Sequence, residues 1–246
     1  MKYVIANWKM YQGTRGGAAL VRAMLRAYRG KTDLPEVVVC PGFLAIGELQ
    51  KVLSRSRVKL GAQDAFWEDD GAHTGSVGPS MLKDAGCEYV ILGHSERRAE
   101  FGETNEMVSK KVGAALRASL RVVLCVGADI EGPLRGSLEG VLRKDVGRLL
   151  VVYEPEGAIS SQGRGAEDLE KVLEAFAKIR AVLKDLFNGA VSVPLLYGGS
   201  VNGENAYTYL REDAIDGVLV GSASVKIHHI TDIIGAALRA MNPRGL

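Results

Sequence analysis

The sequence predicts an α/β fold in which eight βα units close into a barrel, and three observations lead there. Short β-branched runs recur eight times, amphipathic stretches separate them, and the runs show little apolar/polar alternation. The third observation bears most on architecture, because strands that are apolar on both faces are buried on both faces, as parallel strands beneath helices are. A doubly wound open sheet shares these features and is the rival that pattern alone leaves standing. Length fits either, since 246 residues make two small domains or one barrel.

Taken in order, the runs are KYVIAN from Lys2, EVVVC from Glu36, VKLGAQ from Val58 and EYVILG from Glu88, then RVVLCVG from Arg121, RLLVVYE from Arg148, VPLLYGG from Val193 and DGVLVG from Asp216. In the connecting stretches AALVRAMLRAY from Ala18 and LEKVLEAFAKIRAVLKDLF from Leu169, apolar residues return every three or four positions. That is the period of a helix with one buried face. No Pro/Ser-rich linker, charge run or low-complexity tract interrupts the series, so the chain reads as one domain over 1–246.

Composition sets limits on partners. With 47% hydrophobic and 24% charged residues, the chain has the balance of an ordinary soluble protein with material for one large core. A formal charge of +2, with Lys and Arg spread along the chain, leaves no electrostatic footprint for nucleic acid or an anionic membrane. A small anion remains compatible. The three cysteines, Cys40, Cys87 and Cys125, are an odd number, and two of them lie in apolar runs, so we read them as reduced and buried. The start, MKYVIANWKM, lacks the apolar stretch and small-residue cleavage site of a leader, and no run approaches the roughly 18 apolar residues of a membrane span. A cytoplasmic location is the expectation.

In a barrel of this kind the chemistry gathers at the C-terminal ends of the strands, where the βα loops share one mouth. Polar residues stand at those ends: Asn7-Trp8-Lys9 after the first strand, Gly93-His94-Ser95-Glu96 after the fourth, Tyr153-Glu154-Pro155 after the sixth, Tyr197-Gly198-Gly199-Ser200 after the seventh and Gly221-Ser222 after the eighth. Each has an ordinary reading. Lys9 alone is a solvated loop lysine, His94 alone a helix cap, and the paired glycines plain turns. Glu154 is harder to dismiss, because a carboxylate directly after LLVVY is costly near a barrel interior unless it is paired or functional. Glycine turns after both final strands also bring backbone N–H groups together, which is how barrels of this kind commonly hold phosphate.

Together these residues resemble the triosephosphate isomerase family over essentially the whole chain. The motifs that carry the resemblance are Asn7-Trp8-Lys9-Met10, His94-Ser95-Glu96-Arg97-Arg98 running into Phe101-Gly102-Glu103-Thr104, Tyr153-Glu154-Pro155, Tyr197-Gly198-Gly199-Ser200-Val201, and Asp216 through Ser224. The resemblance implies a single (β/α)8 TIM barrel and the interconversion of dihydroxyacetone phosphate and D-glyceraldehyde 3-phosphate through an enediolate, in glycolysis and gluconeogenesis, without cofactor or metal. It carries Glu154 over as the base and His94, at a helix start, as the neutral electrophile. This pairing is the established one for that family and is taken over rather than derived. Lys9 would offset charge on the enediolate oxygen, Asn7 would orient the same oxygens, and Glu96 would hold the Lys9 and His94 region. Amides at Ser160, Ser200, Gly221 and Ser222 would bind phosphate, with the Ser200 hydroxyl assisting. Gln63 and Arg97 are expected to brace the site, Cys125 to pack, and His73, His228 and His229 to lie away from it.

The resemblance further implies a homodimer formed through the loop from Trp67 to Gly78, with Thr74 at the tip reaching the partner. Ser76 stands where the family commonly has a Glu facing the partner's arginine, so one charge pair is expected to be missing and the dimer to dissociate more readily. The segment after Glu154 departs most. Glu156-Gly157 replaces a β-branched residue and Trp, and Ser160-Ser161-Gln162-Gly163-Arg164-Gly165 replaces the usual lid sequence. Looser hinges predict less favourable lid closure, a raised KM and more methylglyoxal side product. Ala128 also stands where Glu is common, in a shortened stretch before Glu154. Rival readings are a weakly active or non-catalytic phosphosugar-binding barrel with an altered lid, and another phosphosugar barrel enzyme such as an aldolase, which needs a Schiff-base lysine inside a strand and is not favoured here.

Overall fold

A computed structural model of the chain describes residues 1–155 and 166–243. Eight parallel strands close into a barrel in sequence order, with the last hydrogen-bonded to the first. They are β1 Tyr3–Asn7, β2 Glu36–Cys40, β3 Lys59–Ala62, β4 Tyr89–Leu92, β5 Arg121–Val126, β6 Leu149–Tyr153, β7 Leu195–Tyr197 and β8 Gly217–Val220. Closure removes the open-sheet rival: an open sheet would leave β1 and β8 as edges, whereas Tyr3 through Ala6 pair with Gly217 through Val220.

The double-sided apolar character of the strands resolves into two cores. Alternate residues point inward, so Ile5, Val38, Ile91, Val123, Leu150, Val152, Leu196 and Leu219 fill the barrel. The intervening residues face out and meet the helices. Those are α1 Thr14–Ala27, α2 Ile46–Leu53, α3 Pro79–Asp84, α4 Ser95–Phe101, α5 Asn105–Arg117, α6 Glu131–Ser137, α7 Leu169–Leu186, α8 Ala206–Leu210 and α9 Ile227–Met241. In α7, for example, Val172, Phe176, Ile179 and Leu183 repeat at spacings of four, three and four and are all buried. The stretch before β6 is covered only by the short α6 and a 3-10 turn over Arg143–Arg148, in keeping with its shortness in sequence.

All three cysteines are free thiols and fully buried. Burial raises the Cys125 thiol well above its ordinary value, and the neighbouring Glu154 raises it further, so Cys125 packs as a thiol and not as a nucleophilic thiolate.

Two glycines set the mouth. Gly93, at φ +68°, turns the chain from β4 into α4 in the left-handed region that side chains other than glycine's rarely adopt. Gly198 leaves room for Glu154, since a Cβ there would stand 2.5 Å from Val152 and 3.0 Å from the Glu154 Cγ.

Candidate active site

The mouth brings Glu154 and His94 together from β6 and β4. Glu154 is 3% exposed and follows the last residue of β6; its backbone N–H donates to the Val126 carbonyl at 2.8 Å, which continues the ladder by one residue. One carboxylate oxygen lies 3.1 Å from His94 Nε2, and the other accepts the Ser95 backbone N–H at 3.0 Å. His94 is the N-cap of α4, and its Nδ1 accepts the Glu96 backbone N–H at 3.2 Å. An accepting Nδ1 carries no proton, so the neutral ring has its hydrogen on Nε2, aimed at the cavity and at Glu154. The helix-cap reading and the catalytic reading of His94 are therefore one geometry, in which the cap sets the tautomer.

Lys9 enters from β1. Its Nζ lies 2.6 Å from Glu96 Oε1, and its side chain is 12% exposed, so the solvated-loop reading fails. Its backbone sits in the left-handed region at φ +48°, held by two contacts: its N–H donates to Asn7 Oδ1 at 3.1 Å, and its carbonyl accepts Gln63 Nε2 at 2.9 Å. Gln63 also donates to the Cys40 carbonyl at 2.9 Å, tying the β1 and β2 ends together. Non-glycine residues in such backbone cluster at functional sites, where the surroundings must over-determine them.

The cavity these residues open onto has a volume of about 180 Å3 and is also lined by Gly199, Ser200, Gly221 and Ser222. Asn205 Nδ2 donates to the Ser200 carbonyl at 2.8 Å, and the Ser224 hydroxyl donates to the Gly221 carbonyl at 2.7 Å, so both turns are held by their own side chains. Asn7, buried at the end of β1, supports Lys9 from below and is not among the residues lining the cavity. Ser160 lies outside the described residues, as do the lid positions Glu156, Gly157, Gly163, Arg164 and Gly165.

Arg97 is held by acidic partners of its own chain. Its Nη2 lies 3.0 Å from Asp64 Oδ2, and its Nε donates to Glu103, which with Asp64 also takes the buried Lys111 ammonium. Burial pushes both carboxyls up. At Glu103 the hydrogen bonds from Lys111 and Arg97 overcome it and hold the group below its ordinary value, whereas Asp64 stays raised.

One expectation is corrected. His73 and His228 stand away from the cavity, but His229 lines it together with Lys226, because the first turn of α9 packs beside the Gly221-Ser222 turn. No local pattern in the sequence marks either residue as part of a site.

The family model described as Triosephosphate isomerase matches residues 2–237. A triosephosphate isomerase of Dictyoglomus thermophilum is 38% identical over 247 residues, covering 95% of this chain and 98% of that relative. One of Citrifermentans bemidjiense is 42% identical over 240 residues, covering 92% and 94%. The crystal structure of triosephosphate isomerase from Bartonella henselae superposes with a TM-score of 0.82 at 29% identity, covering 96% of this chain and 98% of that one.

Proposed function

The chain belongs to the triosephosphate isomerase family, and from that premise we propose that Glu154, His94, Lys9, Asn7 and Glu96 carry out its interconversion of dihydroxyacetone phosphate and D-glyceraldehyde 3-phosphate. The observation that carries the residue assignment is the facing pair at the mouth: a carboxylate 3.1 Å from an imidazole whose tautomer presents Nε2–H to the same cavity. With phosphate seated on the Ser200 and Gly221-Ser222 turns, the triose carbons reach the Glu154 end. There the carboxylate takes the proton from C1, the C–H electron pair becomes the C1–C2 double bond, and the carbonyl pair moves onto oxygen. His94 Nε2–H and Lys9 Nζ stabilise that oxygen as charge develops on it. His94 Nε2 passes its proton to the C2 oxygen and takes the C1 hydroxyl proton in its place. As the O1 pair re-forms a carbonyl at C1, the C1–C2 double-bond pair takes the proton back from Glu154 at C2, an exchange with no net oxidation. To reach the substrate Glu154 must release the Ser95 N–H, which is a small rearrangement of one side chain.

Purified protein given D-glyceraldehyde 3-phosphate, with dihydroxyacetone phosphate formation followed by a coupled assay, tests the reading. Absence of turnover would favour the non-catalytic phosphosugar-binding barrel. We take 1–246 as one catalytic domain, supported by the family match across 2–237. A cytoplasmic location is supported by the three buried free thiols and by there being, among the described residues, no helix long and apolar enough to cross a membrane.

Two copies are proposed to pair through the loop from Trp67 to Gly78. Its tip, including Thr74, is exposed, while Phe66 stacks on Trp67 with ring centroids 4.2 Å apart and its N–H donates to the Val77 carbonyl at 2.9 Å, keeping the base of the loop rigid. Met10, Leu44, Met81 and Phe101 supply exposed apolar surface. Ser76 carries no charge with which to form an ion pair to a partner's guanidinium, and Arg97 is already engaged by Asp64 and Glu103. The expected assembly is a dimer that loosens on dilution. Persistence to low nanomolar protein in light scattering would contradict it.

A further inference from the structure

The charges around the cavity do not balance a phosphorylated ligand without help. Of the catalytic groups that line it, Lys9 is engaged by Glu96 at 2.6 Å, and the Glu154 carboxylate cancels what cationic charge Lys9 offers. The Ser200 and Gly221-Ser222 amides contribute partial charges only. At the same end, among the described residues, stand two side chains with no committed polar partner: Lys226, which makes no ion pair, and His229, whose ring contact is with His228 at 4.3 Å between centroids. Lys226 is the N-cap of α9, and His229 lies in its first turn. Both therefore sit where the helix's own N–H groups add to a positive field.

We infer that Lys226 and His229 form a cationic wall of the phosphate end of the cavity and set the specificity of the site for a dianionic phosphate over neutral trioses. The inference rests on the isomerase reading and deepens it. Lys226 supplies an unpaired ammonium, and His229 supplies a ring N–H donor in a position that is half-buried and so partly shielded from solvent. Neither touches the carbons that exchange the proton, so their contribution falls on binding of the remote group.

The test compares Lys226→Met, Lys226→Arg and His229→Gln with the natural chain. Lys226→Met is expected to raise KM for D-glyceraldehyde 3-phosphate and the inhibition constant of inorganic phosphate about tenfold, and His229→Gln about threefold, with kcat changed less than about twofold. Lys226→Arg, which keeps the charge, is expected to stay within about twofold of the natural chain in both constants. The ratio of kcat/KM for the phosphorylated aldehyde to that for D-glyceraldehyde is expected to fall in step with the KM effect. Unchanged KM and unchanged phosphate inhibition in both Lys226→Met and His229→Gln overturn the inference. So does a fall in kcat with KM unmoved. If the natural chain binds inorganic phosphate by calorimetry but turns over no triose phosphate, the isomerase reading fails on its own. In that case weaker phosphate binding by Lys226→Met still supports the cationic wall.

Discussion

At the floor of the barrel Tyr3, Glu36, Tyr89 and Arg121, the first residues of β1, β2, β4 and β5, satisfy one another, whereas at the mouth Glu154, His94 and Lys9 are held around a space. The Tyr89 hydroxyl donates to Glu36 Oε1 at 2.8 Å and accepts from Arg121, whose guanidinium also donates to the Tyr3 hydroxyl at 3.3 Å and lies 5.0 Å from the centre of the Tyr89 ring. Burial, then the bond to Glu36, holds the Tyr89 phenol protonated well above its ordinary range. The two ends use similar polar groups. They differ in that the floor groups bond to one another, while at the mouth the His94 Nε2–H and the Glu154 carboxylate, though now facing each other, line a cavity a substrate can enter. The comparison teaches that polar residues at a barrel end become a site when a cavity is kept beside them, and a plug when it is not. Conservative changes at the two ends should then separate chemistry from stability.

The largest separation is expected at Glu154. Glu154→Gln keeps the shape and removes the proton acceptor, so kcat should fall on the order of a thousandfold or more with the melting temperature held. Near-normal turnover would break the mechanism. The mirror experiment at the floor is Arg121→Met, which strands the Tyr89–Glu36 pair. Denaturant unfolding should show a loss of about 1 to 3 kcal/mol, since hydrogen bonds to charged groups carry roughly that much. Its kcat should stay within about twofold. A large fall in kcat without loss of stability would show that the floor is coupled to the chemistry and that the division is wrong.

Gln63 sharpens the comparison because it serves both purposes at one end. Gln63→Leu strands the Lys9 carbonyl and leaves the Cys40 carbonyl with the Trp8 N–H alone, and should lower stability by about 1 to 2 kcal/mol while relaxing the left-handed backbone of Lys9. A several-fold drop in kcat/KM should accompany it, and unaltered kinetics would mean that Asn7 and Glu96 hold Lys9 unaided. The last contrast concerns alkaline pH. Burial pushes the Cys87 thiol and the Tyr28 phenol up to about 12, the latter also through Asp232. The folded state therefore keeps protons that the unfolded chain gives up first. That part of the stability is complete below about pH 9 and declines as pH rises towards 12, by on the order of 1 kcal/mol per pH unit. Both groups belong to the floor side, before β4 and at the end of α1. A reversible unfolding series across that range that showed flat or rising stability would contradict the assignment.

The strands, their order and the residues at their ends were legible in the chain because each depends on nearby sequence: β-branched runs, the helix period between them, and polar or glycine residues where each run stops. Motif spacing could place Glu154, His94, Lys9, Asn7 and Glu96 at one mouth once closure was assumed. Closure itself, and everything that depends on which loops then become neighbours, was decided by the tertiary structure. His94 and Glu154 stand 3.1 Å apart although 60 positions separate them in the chain. Arg97 finds its acidic partners in Asp64 and Glu103 of its own chain, and Tyr89, which reads as one more apolar strand residue, proves to close the floor. Lys226 and His229 reach the cavity because β8 lies between β7 and β1, which sets the start of α9 beside the Ser200 turn and Lys9. Local sequence specifies which face of an element is apolar, but a contact between side chains on different elements exists only after the ring has closed and its register is set.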